Sequence, residues 1–199
     1  YSVTVGGKTN EACDPYARTT GVNGQRAMIL DLDSTNPEGW ETDTDPHAGQ
    51  NITDAVIYEL HVRDLSVDES SGIANKGKFL GLIETGTTNA SGVPTGLDHI
   101  KNLGITHIHL LPSYDYASVD ESKLENNQFN WGYDPQNYNV PEGSYSTDPF
   151  NGAVRVKEMK QMVKALHDNG ISVVMDVVYN HVYRTDEFCF NQIVPGYFS

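Results

Sequence analysis

Cysteine and basic side chains are both scarce in this 199-residue chain. Cysteine occurs only as Cys13 and Cys189, and 13 lysines and arginines stand against 27 aspartates and glutamates. The two cysteines are far apart and belong to no CxxC or Cys/His spacing, which argues against a zinc site and predicts unpaired structural thiols. A formal charge of −14 repels phosphate backbones and anionic lipid, so nucleic acid and membrane surfaces are poor partners. Long apolar runs are also missing, and none approaches the roughly 18 residues that cross a bilayer. An initiator methionine is absent: the chain opens on Tyr1-Ser2-Val3 and closes on Gly196-Tyr197-Phe198-Ser199 without a polar tail. The expectation is that both ends are internal to a longer polypeptide.

What is present divides into two textures. In residues 1–50, Ser2 to Val5 alternate, Asn23-Gly24 is a strong turn dipeptide, Gln25 to Leu32 read as a strand, and Asp33 to Gln50 is polar. This predicts the last strands of a small β-module followed by a linker. From residue 51 onward, strands alternate with amphipathic helices. Val56 to Val62, Ile105 to Leu111 and Ile171 to Val178 read as strands. Leu97, Ile100 and Leu103 recur at helical spacing before Gly104, and Val156, Met159, Met162, Val163 and Leu166 do so before Gly170. The nearly continuous apolar strands predict a parallel sheet covered on both faces. Each helix enters the next strand through little more than a glycine, whereas long segments, about 64–95 and 113–150, follow the first two strands. In β/α folds the elaborated side lies at the carboxyl ends of the strands, where sites are built. A doubly wound sheet would share that asymmetry.

Two runs carry chemistry. Phe129-Asn130-Trp131-Gly132-Tyr133-Asp134-Pro135 puts aromatic rings beside a glycine and a turn-forming Asp-Pro, a rigid platform for the apolar face of a sugar. Asp176-Val177-Val178-Tyr179-Asn180-His181 places a carboxylate, an amide and an imidazole where the third strand opens into a loop. Asp176 then reads as an orienting carboxylate within the strand, and His181 as a donor for a substrate hydroxyl. A neutral carbohydrate is compatible with the acidic charge. His107 and His109 share one face of the second strand and raise a metal-dependent amidohydrolase as a rival; the Leu110-Leu111-Pro112 that follows makes core positions the better reading. Glu59 and Arg63, in and after the first strand, read as structural.

At these residues the chain resembles the type I pullulanases, debranching enzymes of the α-amylase superfamily. Ile57 to Leu65 resembles that family's first barrel strand, Thr106 to Pro112 its second, and Asp176 to His181 the superfamily's first signature region. Asn130 to Pro135 resembles the hallmark motif of type I pullulanases, with Phe129 where tyrosine is usual. Asp14 to Arg18, Asn23-Gly24 and Pro37-Glu38-Gly39-Trp40 resemble the end of the family's starch-associated β-sandwich module. The resemblance therefore implies an α/β fold: residues 1–50 as the end of a β-sandwich module and linker, and 51–199 as the first three β/α units of a truncated (β/α)₈ TIM barrel.

It also implies a retaining hydrolase of α-1,6 branch linkages in pullulan, starch or limit dextrin. Tyr133 would stack on the glucose before the scissile bond, His181 would bond it near its 6-hydroxyl, and Trp131 and Asp134 would complete the substrate-binding wall. Asp176 would brace an arginine beside the nucleophile. Retaining chemistry needs a carboxylate nucleophile and an acid about 5 Å apart. In this family both come from later strands, so no residue of this chain is assigned either role, Asp186 and Glu187 included, and the piece alone is expected to be inactive. No cofactor is implied. Calcium is possible, with Asn180 as its candidate ligand. The implied partners are an α-glucan and the remainder of the barrel, without which an apolar face and an edge strand lie open. Alternatives are a noncatalytic α-glucan-binding protein, a branching enzyme or an amylase.

Overall fold

The computed structural model describes residues 1–196 and residue 198; Tyr197 and Ser199, at the end of the range expected for the barrel, lie outside the described residues. Near the N-terminus β1 (Ser2–Val5) and β2 (Lys8–Glu11) form an antiparallel hairpin. The main sheet holds β3 (Ile57–Leu60), β4 (His107–Leu110) and β5 (Ser172–Met175), all parallel and in the order β3-β4-β5. Glu59, His109 and Val174 stand side by side in one row of this sheet, and Leu60, Leu110 and Met175 in the next.

The period of two in the strands decides which side chains meet the helices. Leu60, Ile108 and Leu110 point into a core that also contains Leu97, Ile100, Met162, Leu166 and Ile171. These come from α2 (Gly96–Asn102) and α3 (Gly152–Asp168), with the short α1 (Phe79–Leu82) packed against both. α3 begins where the Asn151 side chain accepts from the Ala153 amide, and it ends before Gly170, whose φ of +73° suits a left-handed helix stop. Helical spacing thus located α2 and α3 to within a few residues.

The other sheet face is open, as expected of a three-stranded section without further strands. Among the described residues, Ile57, Glu59 and Val174 lie open, flanked by partly buried His107 and His109. One face is covered by helices; the other is not. His107 and His109 do share a face, as their alternation requires, but it is the open one and not the core. His109 lies 3.7 Å from Glu59, and His107 lies 2.7 Å from the Thr106 hydroxyl.

Within residues 12–50, one element departs from the sequence reading. Gln25 to Leu32 is not a strand; it pairs only at an isolated bridge, Thr20 with Ala27, and Ile29 is fully exposed. A run becomes a strand only where a neighbouring backbone continues its ladder, and here residues 19–21 supply two bonds, Gly21 amide to Arg26 carbonyl and Met28 amide to Thr19 carbonyl, and no more. The segment is instead fastened to the β/α part. Asn23 and Glu121 exchange two bonds, each 2.7 Å, from backbone amide to side-chain oxygen. Asn137 donates to the Gly24 carbonyl at 2.8 Å. Cys13 and Cys189, free thiols both, lie in one buried cluster with Tyr138, Val140 and Phe188. Burial pushes them up to about 11 and about 12 respectively, so both stay protonated and unreactive near neutrality.

Candidate functional site

The long segment after β4 turns back on itself. Isolated bridges join Tyr114 to Pro141 and Tyr116 to Pro135, and the amides of Asp115 and Gln136 reach across to Val140 and Asp115 carbonyls at 2.8 and 2.9 Å. The aromatic run sits at the far end of this doubled strand. Its turn is closed internally: Asn130 accepts from the Gly132 amide and donates to the Asp134 carboxylate, both at 2.8 Å. Gly132 has φ +90°, and a Cβ there would lie 2.5 Å from the Pro112 carbonyl oxygen. Only glycine permits this approach to the end of β4.

The consequence is that the rings on either side of Gly132 face outward. Trp131 is 60% exposed and meets Phe129 edge-on at 5.5 Å; Tyr133 is 40% exposed. Asp134 turns inward. One of its oxygens accepts from Asn130 and the other from the Ser118 amide and hydroxyl.

β5 ends at Met175, so Asp176 lies just past the strand and not within it, although its amide still bonds the Leu110 carbonyl at 3.0 Å. That bond aims the Asp176 carboxylate at the aromatic turn, where it accepts from the Tyr133 hydroxyl at 2.6 Å. The bond to Asp176, then burial, pushes the Tyr133 phenol up to about 12. His181, exposed in the loop beyond, donates from Nε2 to the Tyr133 carbonyl at 2.6 Å. Its own carbonyl accepts from the Tyr138 hydroxyl at 3.0 Å, and Tyr179 reaches Asn139 at 2.7 Å. Thus Tyr133, Asp176 and His181 form one bonded unit at the carboxyl ends of β4 and β5, with Trp131 beside it.

Other candidates lie elsewhere. Asn180 is exposed. Glu187 pairs with Arg184 at 2.6 Å, and Asp186 is exposed in the same loop. Among the described residues, one group of carboxylates converges closely enough to hold a cation: Asp115, Glu121 and Glu142, all buried. A guanidinium already lies among them. Arg155, fully buried, is 2.9 Å from Glu121 and 3.4 Å from Asp115, and also donates to the Pro149 carbonyl at 2.9 Å. Glu142 meanwhile accepts from the Tyr116 and Ser144 amides. These donors make the cluster a structural brace, and Asn180 is not part of it. Periodicity gave no hint of it, because Arg155 and Glu158 occupy the buried side of α3 where apolar residues are expected. Sequence reading gave no site role to His61 or Ser118, which support the aromatic turn from outside the motif.

The chain is similar to known proteins over most of its length. The model of the α-amylase catalytic domain matches residues 49–193. Pullulanase of Bacillus subtilis (strain 168) is 45% identical over 188 residues, which is 94% of this chain and 25% of that protein. Pullulanase 1 of Arabidopsis thaliana, chloroplastic, is 35% identical over 96% of this chain and 23% of its own length. Among solved structures, pullulanase from Paenibacillus barengoltzii in complex with maltohexaose and α-cyclodextrin superposes with a TM-score of 0.96 at 62% identity, covering 98% of this chain and 30% of that one. The chain thus spans roughly a quarter to a third of the length of these three relatives. With three parallel strands presenting an aromatic and carboxylate wall at their carboxyl ends, and pullulanases as its relatives, the chain belongs to the α-amylase family.

Proposed function

We propose that residues 51–199 are the first three β/α units of a (β/α)₈ barrel in a debranching glycosidase, and that residues 1–50 are the end of a β-sandwich module with its linker. The open sheet face, with Ile57, Glu59 and Val174, would be the barrel interior, closed by further strands of the same protein. The substrate is an α-glucan carrying α-1,6 linkages: pullulan, branched dextrin or starch.

The observation that carries this reading is the bonded unit of Tyr133, Asp176 and His181. An exposed phenol ring held at both its hydroxyl and its backbone is pre-ordered to stack on a sugar without losing rotamer freedom on binding. Trp131 extends the apolar surface toward a branch, and His181 contributes a polar contact beside it. Asp134 supports the turn through which both rings are presented. Asp176 accepts from Tyr133 through one oxygen, which leaves its other oxygen for a cationic neighbour such as an arginine from a following strand. Hydrolysis with retention requires a nucleophilic carboxylate and an acid, and we assign both to polypeptide beyond these residues.

The parent protein, incubated with pullulan, is expected to release maltotriose, while residues 1–199 alone release none. Maltotriose released by the isolated chain would overturn the division of labour, and an inert parent would overturn the debranching assignment.

A further inference from the structure

The aromatic turn is held from both sides by histidines at strand ends. His181, after β5, bonds the Tyr133 carbonyl. On the opposite side His61, immediately after β3 and 6% exposed, lies with Nε2 2.8 Å from the Asn130 carbonyl oxygen. A carbonyl only accepts, so Nε2 carries the hydrogen and donates. The imidazole also stacks on Phe129, with ring centroids 5.1 Å apart and planes at 29°. Tyr145 meets it edge-on, its hydroxyl 3.2 Å from Nε2, and Nδ1 faces Asp64 at 3.9 Å. Arg63, the next residue, places its guanidinium 5.8 Å from the Phe129 ring centre and bonds Asn127 at the start of the turn.

We propose that His61 is a positioning residue for glucan binding: by fixing Asn130 and Phe129 from the end of β3, it sets where Trp131 and Tyr133 stand. The transmission is short. Asn130 is the residue whose side chain closes the turn onto Gly132 and Asp134, so a displaced Asn130 backbone carries both bonds with it. Phe129 supports Trp131 edge-on, so the stack on His61 also backs the outer ring. The ring contacts of His61 are with Phe129 and Tyr145, so its effect on Trp131 and Tyr133 passes through residues 129 and 130. Phe129 brings no hydroxyl to this contact, so beside the Arg63 bond to the Asn127 side chain, the turn backbone itself is held to the end of β3 by His61. The functional half of the proposal rests on the debranching assignment above; the structural half does not.

The test uses the full-length parent protein carrying His61→Ala, His61→Gln or His61→Phe. Glutamine retains a donor at the Nε2 position, and phenylalanine retains a ring without a donor. Amide hydrogen exchange of the peptide covering residues 129–134 is measured in each, together with kcat and KM on pullulan. Loss of one such bond corresponds to about a tenfold faster exchange in His61→Ala. The expected companion is a KM raised by about as much, with kcat lowered less, and both effects reversed in His61→Gln. His61→Phe, which keeps the volume if alanine fails to fold, is expected to show faster exchange at 130–132 despite its ring. Wild-type exchange in folded His61→Phe or His61→Ala would overturn the positioning role, whatever the activity. Faster exchange with unchanged KM would overturn its link to substrate. A wild-type parent inert on pullulan would remove the debranching assignment and leave the exchange result to decide the rest.

Discussion

Tyr133 and Asp176 are 43 residues apart in sequence, yet the phenol hydroxyl of one lies 2.6 Å from the carboxylate of the other. The bond joins the segment after β4 to the end of β5 and holds an exposed ring against the motion its surface position would otherwise allow. Because the bond to Asp176 pushes the phenol up to about 12, it remains a neutral donor near neutral pH.

This separates ring from hydroxyl. Tyr133→Phe keeps the stacking face and loses a hydrogen bond to a charged acceptor, for which about a tenfold to hundredfold loss of kcat/KM on pullulan is expected in the parent protein. Tyr133→Ala also loses the face, and a loss of at least about a hundredfold beyond Tyr133→Phe is expected. Circular dichroism should match the wild type in both. Equal kinetics for the two variants would remove the stacking role.

Gly132→Ala is expected to act without touching any donor or ring. A methyl group at φ +90° and 2.5 Å from the Pro112 oxygen forces the turn away from β4. Thermal unfolding should report a loss of about 1–3 kcal/mol, and the displaced rings should raise KM. A variant with unaltered KM would mean that the close approach to Pro112 does not set the wall.

Arg155 is the cation common to Asp115 and Glu121, and it also bonds backbone carbonyls. Removing one side of a buried ionic arrangement strands the remainder, so Arg155→Ala is expected to lose about 3–5 kcal/mol in denaturant unfolding. Limited proteolysis should then cut first near residues 19–24, which Arg155 reaches through Thr20 and the Gly21 carbonyl. An intact 19–24 segment in a destabilised variant would argue that the brace acts elsewhere.

The same brace predicts a pH dependence. Burial pushes Asp115 up to about 7, with Glu121 acting in the same direction, and burial also raises Glu142. A carboxyl group whose folded value lies above its unfolded one favours the protonated folded state. Its contribution is complete below about pH 4 and is lost as the pH rises through about 7. The thermal midpoint of the parent should therefore fall between about pH 4 and about pH 7, and Asp115→Asn should flatten that slope. A slope unchanged in Asp115→Asn would assign the titration to another group.

The elements most legible in the sequence were those whose apolar residues repeat locally. Leu97 and Ile100 marked α2, Val156 to Leu166 marked α3, and all three parallel strands fell inside the predicted runs. Gln25 to Leu32 failed because strand formation depends on a partner that composition does not reveal. The covering of the sheet was legible only in part for a related reason: an apolar run shows that both faces avoid water, not which chain segment covers each. In the site, Asn130 to Pro135 and Asp176 to His181 were recognisable as motifs. His61, Ser118 and Arg155 were not, since each acts on a residue that is distant in the chain.

Local order alone determined where the helices and strands lie, that an aromatic turn follows β4, and that a carboxylate and an imidazole follow β5. Helical and strand periods, a glycine's freedom at positive φ and the directionality of a parallel strand are properties of neighbouring residues, so the linear order suffices for them. Only the tertiary structure decided that Tyr133 bonds Asp176, that two histidines from different strand ends grip one turn, and that Arg155 lies buried among three carboxylates. Those contacts arise from loop closure and desolvation, which depend on how distant segments meet and leave no periodic trace in the order of residues.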